Sequence, residues 1–208
     1  KKYYNNLIKF SFSDICLSGS GDVFVYGVCF KNISIKSEGI FKINNSLFID
    51  SEINMDSSSF YFNNSVFDNS KLLANSSVFN INNSVFIGSS DFFKISNSKN
   101  LLINNCFFMD IDGFIFNKIN TANIINNIFL KNKIIMDFNL NNTGYFKIYN
   151  NLIIENKTVI NRSDSSKLFL LNNTIDNNLN IIKSNYNNDI ISKNNIYSNN
   201  KYINNINH

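Results

Sequence analysis

The 208-residue sequence has no proline, no tryptophan and a single histidine, His208, at its last position. That removes Ser-His-Asp, Cys-His and histidine-based zinc sites. Alanine occurs twice and leucine 14 times, against 45 asparagines, 32 isoleucines and 21 phenylalanines. Because Ala and Leu favour helices whereas Ile and Phe favour strands, the composition indicates an all-β protein.

Charge is also scarce. Charged residues make up 16% of the chain, the net charge is +4, and the 19 Lys and Arg are scattered. We therefore expect a solvated surface and no nucleic-acid partner. No apolar stretch approaches the roughly 20 residues of a membrane-spanning helix, and no apolar signal region follows Lys1. The cysteines Cys16, Cys29 and Cys106 lack metal-binding spacing, so we expect free thiols.

A repeat organises the chain. The doublet Asn-Asn recurs with shared apolar flanks, as in Phe60-Tyr61-Phe62-Asn63-Asn64-Ser65-Val66-Phe67. The doublets lie 19, 19, 22, 22, 24, 22 and 22 residues apart, at Asn44-Asn45, Asn63-Asn64, Asn82-Asn83, Asn104-Asn105, Asn126-Asn127, Asn150-Asn151, Asn172-Asn173 and Asn194-Asn195. Tyr26-Gly27 marks one earlier, degenerate unit. A fixed period of this length is typical of a stacked repeat protein.

Each doublet predicts a corner between two strands, because asparagine tolerates positive φ. The residue before the doublet and the residue two after it are mostly apolar, so we expect both to point inward. A third apolar run follows about ten residues later, for example at Val159-Ile160, giving three short strands per coil. Stacked corners predict an amide ladder formed by the first asparagine of each doublet: Asn44, Asn63, Asn82, Asn104, Asn126, Asn150, Asn172 and Asn194.

The pattern of doublets and apolar flanks over residues 41–200 resembles the right-handed parallel β-helix of the pectate-lyase-like superfamily. The resemblance implies a single-stranded right-handed solenoid, and the doublets predict eight to nine coils of 19–24 residues each. A leucine-rich repeat is the main alternative, but it requires Leu at places that Ile and Phe occupy here. A two-sheet sandwich would not need a constant period. We divide the chain into a capping segment (1–22), the β-helix domain (23–200) and a polar tail (201–208).

Candidate catalytic residues are few. The sets that the resemblance implies for glycosidases (Asn-Thr-Asp, Asp-Asp, Gly-His-Gly and Arg-x-Lys) are absent, and the one arginine is Arg162. In enzymes of the family that the sequence resembles, the substrate groove runs along one outer face of the solenoid. Here the third apolar run would form that face, and its outward residues would be Lys94, Asn117, Asp137, Asn161 and Lys183, with Arg162 nearby. A lyase or epimerase would use Asp137, Arg162, Lys94 and Lys183. Asp110 and Asp112 form a weak candidate metal site, with a solvated turn as the alternative.

Two apolar stripes are expected on outward positions. The first, a candidate binding surface, consists of Phe48, Phe67, Phe86 and Phe108. The second consists of Leu102, Ile124, Ile148 and Leu170. Exposed apolar stripes mark interfaces, unless the inside–outside register slips or a loop covers them.

These observations favour a non-catalytic, adhesin-like or structural module of a secreted or cell-surface protein. It would bind a polysaccharide or a surface protein along its side faces, with self-association also expected. No cofactor is needed. The alternatives are a polysaccharide lyase or epimerase, for which Ca²⁺ would be considered, and a phage tail-fibre module.

Overall fold

A computed structural model describes residues 8–19, 21–91, 93–138, 142, 144–184 and 189–202, with only the backbone described at 8–19, 57 and 58. The described chain is all-β, with no helix, and its parallel strands stack into a right-handed solenoid of about eight turns. The predicted fold class is therefore confirmed. His208 and the end of the polar tail lie outside the described residues.

The described ranges contain 24 strands, most of them three to five residues long. In chain order they are β1 (Ile8–Gly19), β2 (Val23–Tyr26), β3 (Val28–Ser37), β4 (Ile40–Asn44), β5 (Leu47–Ile49), β6 (Glu52–Asn63), β7 (Val66–Asp68), β8 (Lys71–Asn82), β9 (Val85–Ile87), β10 (Phe93–Ser96), β11 (Asn100–Asn104), β12 (Phe107–Met109), β13 (Phe114–Asn117), β14 (Thr121–Ile125), β15 (Ile128–Leu130), β16 (Ile134–Phe138), β17 (Tyr145–Tyr149), β18 (Leu152–Ile154), β19 (Thr158–Arg162), β20 (Lys167–Leu171), β21 (Thr174–Asp176), β22 (Asn180–Ser184), β23 (Ile190–Lys193) and β24 (Ile196–Ser198).

The strands pair in parallel with the corresponding strands of the neighbouring coils, which produces three faces, and β1 pairs with both halves of β3 at the start of faces B and C. Face A consists of β2, β4, the second halves of β6 and β8, β11, β14, β17, β20 and β23. Face B consists of the first half of β3 and the short strands β5, β7, β9, β12, β15, β18, β21 and β24. Face C consists of the second half of β3, the first halves of β6 and β8, β10, β13, β16, β19 and β22.

Two corners in each coil, which bound face B, place one residue in the left-handed region, with φ between 46° and 70°. The first corner carries Gly27, Asn45, Asn64, Asn83, Asn105, Asn126, Asn150, Asn172 and Asn194. The second follows five residues later, at Asn32, Asp50, Asn69, Gly88, Asp110, Lys131, Glu155, Asn177 and Asn199. Asparagine predominates because its short amide tolerates this conformation better than other side chains with a Cβ.

The doublets do not all meet the first corner in the same way. In coils with Asn44-Asn45 through Asn104-Asn105, the second asparagine is left-handed; from Asn126-Asn127 onward, the first one is. Ile103 consequently pairs with Ile124, not with Ile125. The doublets therefore predict correctly in some coils, and wrongly in others, which side chains point into the solenoid and which point out of it.

Stacked asparagines form two kinds of ladder. On the outer surface, Asn63 Nδ2 donates to Asn44 Oδ1 and Asn82 Nδ2 donates to Asn63 Oδ1, both at 3.1 Å. Asn126 donates to Asn104 in the same way at 3.3 Å. These contacts confirm the predicted ladder in the N-terminal coils. In the C-terminal coils, Asn150, Asn172 and Asn194 are instead the left-handed corner residues.

The C-terminal ladders lie one residue later and face inward. They consist of Asn127, Asn151, Asn173 and Asn195 after the first corner, and Asn132, Asn156, Asn178 and Asn200 after the second. Each Oδ1 accepts the backbone N–H of the preceding coil, as Asn151 does from Asn127 at 2.8 Å. In the N-terminal coils serine takes this place, for example where Ser46 N–H donates to Ser65 Oγ at 3.0 Å.

The core is a continuous stack of apolar columns. The predicted binding stripe, Phe48, Phe67, Phe86 and Phe108, lies at its centre and is at most 1% exposed. Successive rings of this column stack with centroids 4.9–5.3 Å apart. The prediction that these rings face solvent is wrong. After each left-handed second asparagine the next side chain points inward, the second, such as Leu47, points outward, and the third, the phenylalanine, points inward again. Ile124, Ile148 and Leu170 of the second stripe are also buried, and Leu102 is half-buried on face A.

The N-terminal strand β1 pairs in parallel with β3, with an irregularity between Ser11 and Ile15. Residues 8–19 thus lie along the first turn of the solenoid, within the range assigned to the capping segment. This pairing occupies the backbone N–H and C=O groups on the edge of β3 that would otherwise be open, and so protects that edge from pairing with another chain.

Candidate functional site

Four of the five predicted groove residues lie on one outward column of face C. Pairing aligns Lys94 with Ile115, Ile115 with Asp137, Asp137 with Asn161, and Asn161 with Lys183. Asn117 is two residues further along its strand, aligned with Ser96, so Ile115 takes its predicted place. Lys94 and Lys183 each lie two coils from Asp137, on the order of 10 Å at the usual strand spacing. The structure does not bring these charges into one cluster.

Arg162 is not on the outward column. It lies in register with Phe138 and points into the solenoid, where it is 2% exposed. Its Nε donates to Asp164 Oδ1 at 3.0 Å, and both side chains are fully buried. Another guanidinium nitrogen donates to the carbonyl of Ser166. The interpretation of Arg162 as a groove residue is wrong, because strand alternation places it inward and a buried carboxylate holds it there.

Asp137 is the one carboxyl on this column. Burial raises its pKa above the usual range of aspartate, and a hydrogen bond from Asn161 Nδ2 at 2.9 Å opposes that rise. Nearby on face C, a shallow groove of about 290 Å³ is lined by Asn54, Met55, Asp56, Leu73, Ala74, Asn75, Lys94 and Ser96. The groove includes Lys94 but none of the other proposed catalytic residues.

Asp110 and Asp112 flank the buried residue Ile111 at the second corner. Asp110 is the left-handed corner residue, whereas Asp112 forms an ion pair with Lys133 at 3.3 Å. Among the described residues, no group of three or more His, Cys, Asp or Glu side chains is placed to hold a metal ion. The arrangement fits the alternative of a solvated turn.

Two cysteine side chains are described, and both are free thiols. Cys106 is buried after the first corner, and desolvation raises its pKa to about 12. A thiol with such a pKa is a poor nucleophile near neutral pH. Cys29 is half-buried on the outward side of face B, in register with Leu47.

Face A carries a charge pattern that the sequence interpretation missed. Its strand segments contain four lysines, Lys42, Lys147, Lys167 and Lys193, and no aspartate or glutamate. The other outward positions are aromatic, aliphatic, amide or hydroxyl side chains. The sequence signal that could have revealed this pattern is the alternation of apolar and outward residues in segments such as Tyr145–Tyr149, where every second residue is buried.

Aromatic rings on face A lie beside the lysines. Lys42 Nζ is 5.5 Å from the ring centroid of Phe24 and 5.4 Å from that of Tyr61. At the other end of the face, Lys167 Nζ is 5.9 Å from the Tyr145 ring, which stacks on Phe169 at 6.5 Å. Tyr145 is 51% exposed. The rings are therefore held in place by neighbours while one side of the group faces solvent.

Face B is apolar on its outward side. Its first outward column is Cys29, Leu47, Val66, Val85, Phe107, Ile128, Leu152, Thr174 and Ile196. Its second is Lys31, Ile49, Asp68, Ile87, Met109, Leu130, Ile154, Asp176 and Ser198. Most of these side chains are half-buried by their neighbours on adjacent coils. The predicted apolar stripe thus exists, one residue away from the phenylalanines assigned to it.

Comparison with protein-family models, curated proteins and solved structures gave no match. In the described part of the chain, no helix has the length and apolar character needed to cross a membrane. Membership of the pectate-lyase-like superfamily stays a prediction from the repeat.

Proposed function

We propose that this protein is a non-catalytic, adhesin-like module of a secreted or cell-surface protein, and that face A binds an acidic glycan. The observation that carries the proposal is the set of four lysines among aromatic and amide side chains on a face whose strands contain no carboxylate. The resemblance to β-helix proteins of the pectate-lyase-like superfamily is consistent with this function.

The C-terminal part of face A combines exposed aromatic and lysine side chains. Tyr145 and Phe169 present ring surface on which the apolar side of a sugar can stack, as apolar ligand surface packs on aromatic pocket walls. Lys147 and Lys167 are exposed in the same register as these rings and would pair with carboxylate groups on the sugar through charge-assisted hydrogen bonds. Partly buried amides such as Asn123 would bond hydroxyl groups.

Binding to polygalacturonate and to its methyl ester tests the proposal, since the ester keeps the sugar rings and removes their charge. We expect the acid to bind at least about tenfold more tightly, or ~1.4 kcal/mol. The double variant Lys147→Gln/Lys167→Gln should lose a similar factor in calorimetry. The control Lys36→Gln/Lys157→Gln removes the same charge from exposed positions outside face A. Equal losses in both variants, or no binding by the wild type, would contradict the proposal.

The alternative of a lyase or epimerase retains Asp137, whose raised pKa suits a proton-transfer group. It lacks the arginine assigned to it, because Arg162 is buried against Asp164. Incubation with acidic polysaccharides, with and without Ca²⁺, distinguishes this alternative from binding alone: a lyase would produce unsaturated sugar ends, and an epimerase would change the configuration of the sugar units.

A further inference from the structure

Independently of glycan binding, we propose that face B is a self-association surface through which two copies of this chain pack side by side. The observation is the run of apolar side chains on its two outward columns. In the first column the residues are apolar from Leu47 through Leu152, over six consecutive coils. In the second they are apolar from Ile87 through Ile154, over four coils.

The centre of face B is also free of charge. The strands β9, β12, β15 and β18 contain no charged residue, and the charges on the face, Lys31, Asp68 and Asp176, lie outside this central region. A central apolar area without charge, surrounded by polar residues, is the arrangement found in protein–protein interfaces. Its exposed apolar surface includes Ile128, at 39%.

The borders of face B favour a second copy over another partner. The first corner is lined by exposed asparagines in eight successive coils, and the second corner adds Asn32, Asn69, Asn177 and Asn199. A carboxamide is both a donor and an acceptor, so such a border can hydrogen-bond to an identical border in either orientation. A two-fold interface requires this self-complementarity. The second corner also carries Asp50, Asp110 and Glu155 against one Lys131, which disfavours an anionic lipid surface.

The size of face B is sufficient for a dimer. Nine strands at the usual spacing extend about 38 Å, and five residues across give about 17 Å, or on the order of 650 Å² per copy. Two copies would therefore bury roughly 1,300 Å² in total, within the range of specific interfaces. The identical coil spacing in both copies allows side-chain rows of one to pack between rows of the other along the whole length.

Analytical ultracentrifugation between about 1 and 100 μM, a range that covers micromolar dissociation constants, tests the proposal. We expect a concentration-dependent dimer for the wild type and a shift of at least tenfold towards monomer for Leu130→Lys, since that position is outward at mid-face. The matched control Leu73→Lys places the same charge at a half-buried outward position on face C and should leave the dimer intact. Unchanged melting temperatures would show that both variants fold.

A fluorescence reporter gives a second measurement, because the sequence has no tryptophan. In Leu152→Trp, the emission should shift to shorter wavelength as protein concentration rises, and this shift should disappear when Leu130→Lys is added. A wild type that stays monomeric over the whole range would overturn the proposal. So would equal dissociation in the Leu73→Lys control, or a monomer that binds phosphatidylcholine vesicles through face B.

Discussion

Individual asparagines have different roles according to their position relative to the corner. Asn151 is 2% exposed and makes contacts in both directions along the solenoid. It accepts from the backbone N–H and the side chain of Asn127 at 2.8 and 3.0 Å, and donates to Asn173 Oδ1 and to the carbonyl of Ile124. Asn63, on the outer ladder, is only half-buried and bonds other side chains.

Replacement of Asn151 by alanine should therefore cost about 3 kcal/mol in the free energy of unfolding, because buried backbone and amide groups of Asn127 and Ile124 lose their partners. The matched replacement Asn63→Ala should cost less than about 1 kcal/mol, since solvent can replace its hydrogen bonds. Urea denaturation of both variants measures the difference. Equal losses would contradict the assignment of distinct roles to the two ladders.

The raised pKa of the Asp137 carboxyl predicts how the free energy of unfolding depends on pH. Its pKa in the folded state is raised by burial, so the folded chain holds this proton more tightly than the unfolded chain does. Its contribution to stability is consequently lost as pH rises from the ordinary aspartate pKa through the raised value. Asp137→Asn keeps an acceptor for Asn161 and removes the charge, so it should be more stable than the wild type at pH 7.

The same variant supplies its own control at low pH. Below the ordinary pKa of aspartate, about 3.9, both chains carry a neutral side chain and their denaturation midpoints should converge. An identical difference between variant and wild type at both pH values would show that the carboxyl pKa is not responsible.

At the scale of one element, the turn after β19 contains an ion pair that is enclosed by the solenoid. Asp164 Oδ1 accepts from Arg162 Nε and from the Ser166 hydroxyl, the latter at 2.8 Å. Within the described residues, Arg162 Nη1 and Asp164 Oδ2 have no hydrogen-bond partner. Removal of one member of such a pair leaves an uncompensated buried charge.

We expect Arg162→Met to lower the free energy of unfolding by about 3–5 kcal/mol. Arg162→Met combined with Asp164→Asn should lose less than the single variant, because the remaining side chain is neutral and still accepts from Ser166. The comparison is Lys133→Met, which breaks the exposed pair with Asp112 and should cost at most about 1 kcal/mol. Thermal and urea unfolding give all three values, and a small loss for the single variant would refute the argument.

For the molecule as a whole, the sequence was sufficient to predict the solenoid, because corner asparagines and apolar residues recur in every coil. It was not sufficient to predict which side chains face outward. The 22-residue interval between Asn104 and Asn126 conceals a change in which asparagine takes the left-handed conformation. An Asn-Asn doublet looks the same in both cases, so the pattern alone predicts Phe48 outside and Leu47 inside, the reverse of the structure. The partner of Arg162 was missed because Asp164 is brought to it by a tight turn.

The two outward surfaces have complementary consequences for assembly. If two copies join through face B, their A faces remain on the outer sides of the pair. A long glycan that contacts both would then be held by two sites, and its apparent affinity would exceed that of one site.

The constant distance between the two left-handed corners also has a consequence for protein engineering. Five residues separate these corners in every coil, while successive coils differ in length from 18 to 24 residues. The length variation is therefore accommodated on the remaining part of the coil, both between the second corner and face C and around the junction of faces C and A. A guest peptide inserted there, for instance after Lys118, would form a displayed loop and leave the coils above and below in place. The same peptide inserted between the first and second corners, within face B, would shift the strand register, so that residues of the rest of that coil that now face the interior would face the surface and the reverse.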